Sequence, residues 1–193
     1  MSSSSQILEQ LFDSPLKVKL LRLFLRNPEE KFTLKEIAGR TKSNSRQCIT
    51  QIKKLLNIGL LNTQIRKKKK FYFVNQNFDF YNELKTLVLK SPSASKKKIL
   101  AKLKKIGTIK LAILSGVFIN LENARVDMLI VGSHLKKKKL SSLIKDLEAE
   151  VGKEIDYVIM SPEEFQYRFD MYDRFLKDIL ERPHEKLINK LKI

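Results

Sequence analysis

The chain has 193 residues with 42% hydrophobic content and only 6 Gly and 5 Pro, which excludes wholesale disorder and leaves room for two small domains. Its formal net charge of +18 lies entirely in residues 1–110, which carry 25 Lys and Arg against 7 Asp and Glu, whereas residues 111–193 carry 14 of each; such segregation points to a polyanion-binding module joined to one with another task. A lone Cys48 excludes an intramolecular disulfide, Cys48 with His134 and His184 is too little for a structural zinc site, and no run approaches the roughly 18 apolar residues of a membrane span, so a soluble, cytoplasmic protein with no membrane contact is expected.

In chain order, apolar residues recur at helical spacing over 6–25 (Leu8, Leu11, Phe12, then Leu16, Val18, Leu20, Leu21, Phe24, Leu25). Asp13-Ser14-Pro15 interrupts them as a turn, with Pro15 suited to the first turn of a new helix. Thr33 with Glu36 three residues later has the spacing of a capping box and predicts a short helix to about Arg40. After Thr41-Lys42-Ser43-Asn44 a longer helix over 43–58 places Cys48, Ile52 and Leu55 on one face and ends at Gly59, a natural C-cap. Residues 60–65 and 71–74 read as strands of a hairpin whose tip is the basic run 66–70. A further helix over 78–90 precedes Ser91-Pro92-Ser93-Ala94-Ser95, a linker that divides the chain into 1–90 and 96–193. Beyond it come a basic helix over 96–105, strands over 110–118 and 126–131, a solvated lysine loop at 136–139, a helix over 140–151, a strand over 154–160 and terminal helices from Pro162. The fold class is α+β, with three helices and a hairpin in the first half and a small α/β domain in the second.

The predicted third helix carries the chemistry of base recognition. Asn44, Ser45, Arg46, Gln47, Thr50 and Gln51 put amides, hydroxyls and a guanidinium near its start, and Arg and Gln are the side chains that pair bidentately with guanine and adenine. Lys53, Lys54, Arg66, Lys67, Lys68, Lys69 and Lys70 lack that geometry, but as point charges they suit phosphates. A solvated helix face is the alternative for Arg46 and Gln47, and a small core residue is the reading for Cys48. The order of short capped helix, turn, polar-faced helix, Gly59 and basic hairpin over residues 14–76 resembles the winged helix-turn-helix domains of the ArsR and MarR type. The stretch Leu55-Leu56-Asn57-Ile58-Gly59-Leu60-Leu61, followed by Arg66 and Phe71-Tyr72-Phe73, matches their helix-to-wing pattern.

Residues 109–161 resemble the small nucleotidyltransferase domains of the MNT type, in which a strand ends in Gly-Ser and an Asp-x-Asp on the next strand binds Mg²⁺. Here Gly116 keeps its place, the serine is Val117, the first Asp is Arg125, and Asp127 remains, with Asp156 near the position of a third carboxylate. Metal-clamped phosphoryl transfer needs several carboxylates, so the domain is expected to be catalytically degenerate, with no metal and no cofactor. Arg125 is left to pair with Asp127 or Asp156, or to bind a phosphate directly. His134, His184 and the acids Asp146, Glu148 and Glu150 read as surface residues, and the aromatic stripe from Phe165 to Leu180 as core or dimer contact.

The function expected is that of a transcriptional regulator that binds double-stranded DNA as a homodimer, two-fold symmetry presenting two third helices to a pseudo-palindrome. Two other classes stand beside it. One is metal-dependent nucleotidyl transfer by the second domain; the other is an antitoxin-like module that binds a partner protein while the first domain represses its own promoter.

Overall fold

A computed structural model describes residues 4–90, 96–121 and 123–193, an α+β chain with two separate sheets. Its contacts divide it into two compact units, one of Met1–Ser93 with Lys145–Lys153 and the other of Ala94–Ile144 with Glu154–Ile193. The first unit thus takes in a stretch that the sequence division places in the second. The expected linker 91–95 lies outside the described residues.

The first unit begins with helices α1 (Ser4–Leu11) and α2 (Pro15–Arg26). Ser14 caps α2 by accepting the Lys17 amide at 3.2 Å, and Pro15, which has no amide to lose, occupies the first turn. A two-residue strand β1 (Phe32–Thr33) leads into α3 (Leu34–Thr41). The capping box is present: the Glu36 carboxylate accepts from the Thr33 amide at 2.7 Å, and Thr33 Oγ1 accepts from the Glu36 amide at 3.4 Å. α4 (Ser45–Asn57) starts two residues later than the sequence suggests because Asn44 is its N-cap, its side chain accepting the Arg46 amide at 2.7 Å. Gly59, at φ +79°, turns the chain into β2 (Leu61–Arg66), which pairs antiparallel with β3 (Lys69–Val74), and α5 (Tyr81–Lys90) closes the unit.

The sheet order is β1-β3-β2, so the short β1, which the sequence reading lacks, borders β3. Leu20, Phe24, Ile37, Cys48, Ile52, Leu55, Tyr72 and Val88 meet in one core, and Cys48 is fully buried there. Segment Lys145–Lys153 is held within this unit by Arg22, which donates to the Glu150 carbonyl at 3.0 Å, and by Asn27, which donates to the Gly152 carbonyl at 2.7 Å. Asp146, expected on an outward face, pairs with Lys42.

The second unit runs α6 (Lys96–Leu103), β4 (Thr108–Leu114), a 3₁₀ turn at Gly116–Phe118, β5 (Met128–Ser133), the start of α7 (Lys137–Val151), which passes into the first unit from Lys145, then β6 (Tyr157–Met160), α8 (Pro162–Asp170), α9 (Arg174–Glu181) and β7 (Glu185–Asn189). Its sheet order is β6-β5-β4-β7, with β5 and β6 parallel and the other pairs antiparallel. One sheet face, through Leu111, Ile113, Leu129, Val131 and Met160, packs on Phe165 of α8 and on Leu176 and Ile179 of α9. The aromatic stripe after Pro162 therefore divides: Phe165 is core, while Phe169 is exposed.

Three expectations need correction. The strand expected over 110–118 stops at Leu114, because Gly116 enters the left-handed region at φ +51° and bends the chain into the 3₁₀ turn. Lysines 137–139 form the first turn of α7 and are not a loop. The terminal segment after Arg182-Pro183 is the edge strand β7, paired with β4, and not a continuation of helix.

Candidate nucleic-acid interface

In the first unit, helical periodicity splits α4 cleanly. Cys48, Ile52 and Leu55 face the core, and Ser45, Arg46, Gln47, Thr50, Lys53 and Lys54 are exposed. The first turn holds no acidic residue that would neutralise Arg46. Two of the expected donors are partly engaged locally: Asn44 spends its side-chain oxygen as the cap, and Thr50 Oγ1 donates to the Arg46 carbonyl at 3.0 Å. Gln51 is half-buried, and among the described residues its buried Oε1 has no hydrogen-bond partner. With Gln47 it lines an open groove that Ser14, Pro15, Leu16, Lys19 and Ser43 complete. Arg46, Gln47 and Thr50 therefore form the outward polar group, and Gln51 turns toward the start of α2.

The hairpin is longer and tighter than the sequence suggests. The ladder continues through Arg66 and Lys69, which pair, leaving only Lys67 and Lys68 as the turn. Both take left-handed backbone, at φ +47° and +60°, the geometry of a two-residue turn whose twist matches that of its strands. Arg66, Lys67, Lys68, Lys69 and Lys70 are all exposed, and among the described residues none makes an ion pair. Lys70 lies over the Tyr72 ring at 5.6 Å.

Sequence reasoning missed a further cation. Lys31 donates to Gln64 at 2.7 Å and lies over the Phe73 ring at 4.7 Å, on the opposite face of the hairpin from Tyr72. The alternation of Phe71 and Phe73 with the buried Tyr72 and Val74 was the available signal, since it leaves one face of β3 wanting cover.

In the second unit Gly116, Asp127 and Asp156 are brought together around backbone amides, while Arg125 lies apart from them over Phe175. Asp127 Oδ1 accepts the Val117 amide at 2.7 Å, and its Oδ2 accepts the Asp156 amide at 3.0 Å. The Asp127 backbone also takes part, its amide donating to the Asp156 carbonyl at 2.7 Å and its carbonyl accepting from the Ser115 amide at 2.8 Å. Gly116 is required twice over: its φ is +51°, and a Cβ there would stand 2.0 Å from Asp127 Oδ1.

Asp127 is thus the clasp of the turn between β4 and β5. Arg125 is exposed and lies over the Phe175 ring at 5.6 Å; among the described residues it pairs with neither Asp127 nor Asp156. Asp156 is exposed, and among the described residues no three His, Cys, Asp or Glu side chains converge to hold a metal ion. No described helix is long and apolar enough to cross a membrane. In comparison with known proteins, the chain matches no family model, no curated protein and no solved structure.

Proposed function

We propose that the chain is a DNA-binding transcriptional regulator of winged-helix type, with α4 as the reading helix and the β2–β3 hairpin as the wing. The observation that carries this reading is the exposed group Arg46, Gln47 and Thr50 on α4, beside a hairpin whose five exposed cations make no ion pair among the described residues. A major groove about 12 Å wide admits such a helix, and its base edges present the acceptors and donors that Arg and Gln match. Lys53, Lys54 and the wing then supply sequence-independent attraction to phosphates.

Regulation by such a module is most economical as a homodimer, which places two reading helices on related half-sites. The second unit is read as non-catalytic. Both Asp127 oxygens already hold amide hydrogens, and Arg125 brings positive charge where a metal-binding domain would place a carboxylate.

The test is titration of labelled duplex with the full chain over a salt series, comparing a random sequence with one enriched from a random pool. The reading expects binding to both, steeply salt-dependent, with the enriched sequence bound more tightly. Absence of binding to either at low salt defeats it. A solution mass equal to the 22.5 kDa monomer in the DNA complex defeats the dimer.

A further inference from the structure

Two choices at the wing tip find no use in the core of the free protein. The first is in the turn: Lys67 and Lys68 both occupy left-handed backbone, which Asn and Gly adopt easily and a long side chain does not. The second is Ile65. Leu61, Thr63 and Ile65 alternate onto one face of β2, opposite Val74, Tyr72 and Lys70 of β3. Leu61, Tyr72 and Val74 are buried in the core, but the core ends before the tip, and Ile65 is 76% exposed. A β-branched apolar side chain there lies outside the core cluster of the described residues, directly across the ladder from Lys70 and two residues from the Lys67-Lys68 turn. Local choices that disagree with the fold collect where a partner is engaged.

We propose that Ile65 is the apolar contact of the wing with duplex DNA, packed on the deoxyribose wall of the minor groove while the neighbouring cations neutralise the flanking phosphates. The proposal rests on the regulator reading. A polyanion is the partner that five exposed cations with no ion pair among the described residues fit, and duplex DNA offers, within a groove about 6 Å wide, the apolar sugar surface that an isolated Ile can cover. Apolar side chains in minor grooves lie beside Arg and Lys in this way.

An apolar contact releases no counterion, whereas a lysine on a phosphate does, so salt separates the two. With the full chain on a labelled duplex, Ile65→Ser is expected to weaken binding roughly three- to tenfold at every salt concentration, as loss of a partly buried aliphatic side chain requires. The slope of log K against log salt stays at the wild-type value, and Ile65→Val keeps most of the affinity. Lys68→Ala, by contrast, reduces the slope by about 0.9. Because Ile65 is so exposed, the unfolding midpoint of Ile65→Ser matches wild type, which separates a lost contact from a lost fold.

Wild-type affinity in Ile65→Ser overturns the contact and leaves the regulator reading standing, and a flattened slope overturns it as well. An equal loss on an RNA duplex of the same sequence overturns the minor-groove placement, since the A-form minor groove is wide and shallow. If wild type binds no duplex at low salt, the regulator reading fails and this contact with it.

Discussion

The two units treat their polar side chains in opposite ways. In the first, Arg46, Gln47 and the hairpin cations stand in solvent, and among the described residues the hairpin cations make no ion pair. In the second, the side chain that resembles a metal ligand, Asp127, has turned in and spent both oxygens on backbone amides. Unspent donors on a rigid helix can exchange water for a ligand's acceptors at little loss, whereas a carboxylate that clasps a turn can meet an ion only through its remaining lone pairs, in the orientation the turn imposes. Changes in the first group should therefore move binding and spare stability, and changes in the second should do the reverse.

The largest effect is expected at Gly116. A Cβ there meets the Asp127 carboxylate on backbone that already disfavours side chains, so Gly116→Ala should cost about 3 kcal/mol of stability. Chemical denaturation measures it, and DNA affinity at a temperature where the variant is folded should equal wild type. A fall in affinity without loss of stability would break the comparison, because it would make this turn part of the binding surface.

Neutralising Lys67, Lys68, Lys69 and Lys70 to Gln comes next. Losing several phosphate contacts should lower affinity for random duplex on the order of a hundredfold at low salt and flatten the slope by about 0.9 per contact. The unfolding midpoint should fall little, because these exposed side chains make no ion pairs among the described residues and Lys70 gives up only its approach to the Tyr72 ring at 5.6 Å. Arg46→Ala should be smaller and of another kind, roughly 1 to 3 kcal/mol of lost discrimination between the enriched and random sequences. If Arg46→Ala weakened both sequences alike, Arg46 would be one more phosphate contact and α4 would not be the reading helix.

What could be read from the sequence followed the range of the interactions concerned. The capping box at Thr33 and Glu36 and the stripe of Cys48, Ile52 and Leu55 are set within one or two helical turns, and both were legible. β1 has two residues and β7 follows a helix end, so neither shows a period; only pairing with β3 and β4 makes them strands. The hairpin tip was read as five residues because Lys67-Lys68 lacks the Asn or Gly that marks a two-residue turn. The strand over 60–65 was legible, but the face on which Ile65 lies and the point where the core stops short of it come from the pairing with β3. The inward turn of Asp127 depends on amides 10 and 29 residues away, and no local spacing announces it.

The smallest expected effect belongs to the capping box of α3, where the first unit does spend a carboxylate on its own backbone. Hydrogen bonds from the Thr33 amide and hydroxyl hold the Glu36 carboxyl below the usual carboxylate range. A carboxyl whose pKa is depressed by folding contributes stability that is complete above its unfolded value, about 4.3, and lost as pH falls through the lower folded value. Thr33→Ala should cost about 1 kcal/mol near neutral pH, and Glu36→Gln less, because the amide oxygen can still accept the Thr33 amide hydrogen. Urea midpoints compared from neutral to acid pH should show the gap between wild type and Glu36→Gln closing as the carboxyl protonates. A gap that stays constant with pH would mean that the Glu36 charge contributes nothing to the cap. Affinity for DNA at neutral pH should not fall in Glu36→Gln, since the charge removed lies in the field of Lys69 and its loss leaves that wing cation no less available to a phosphate.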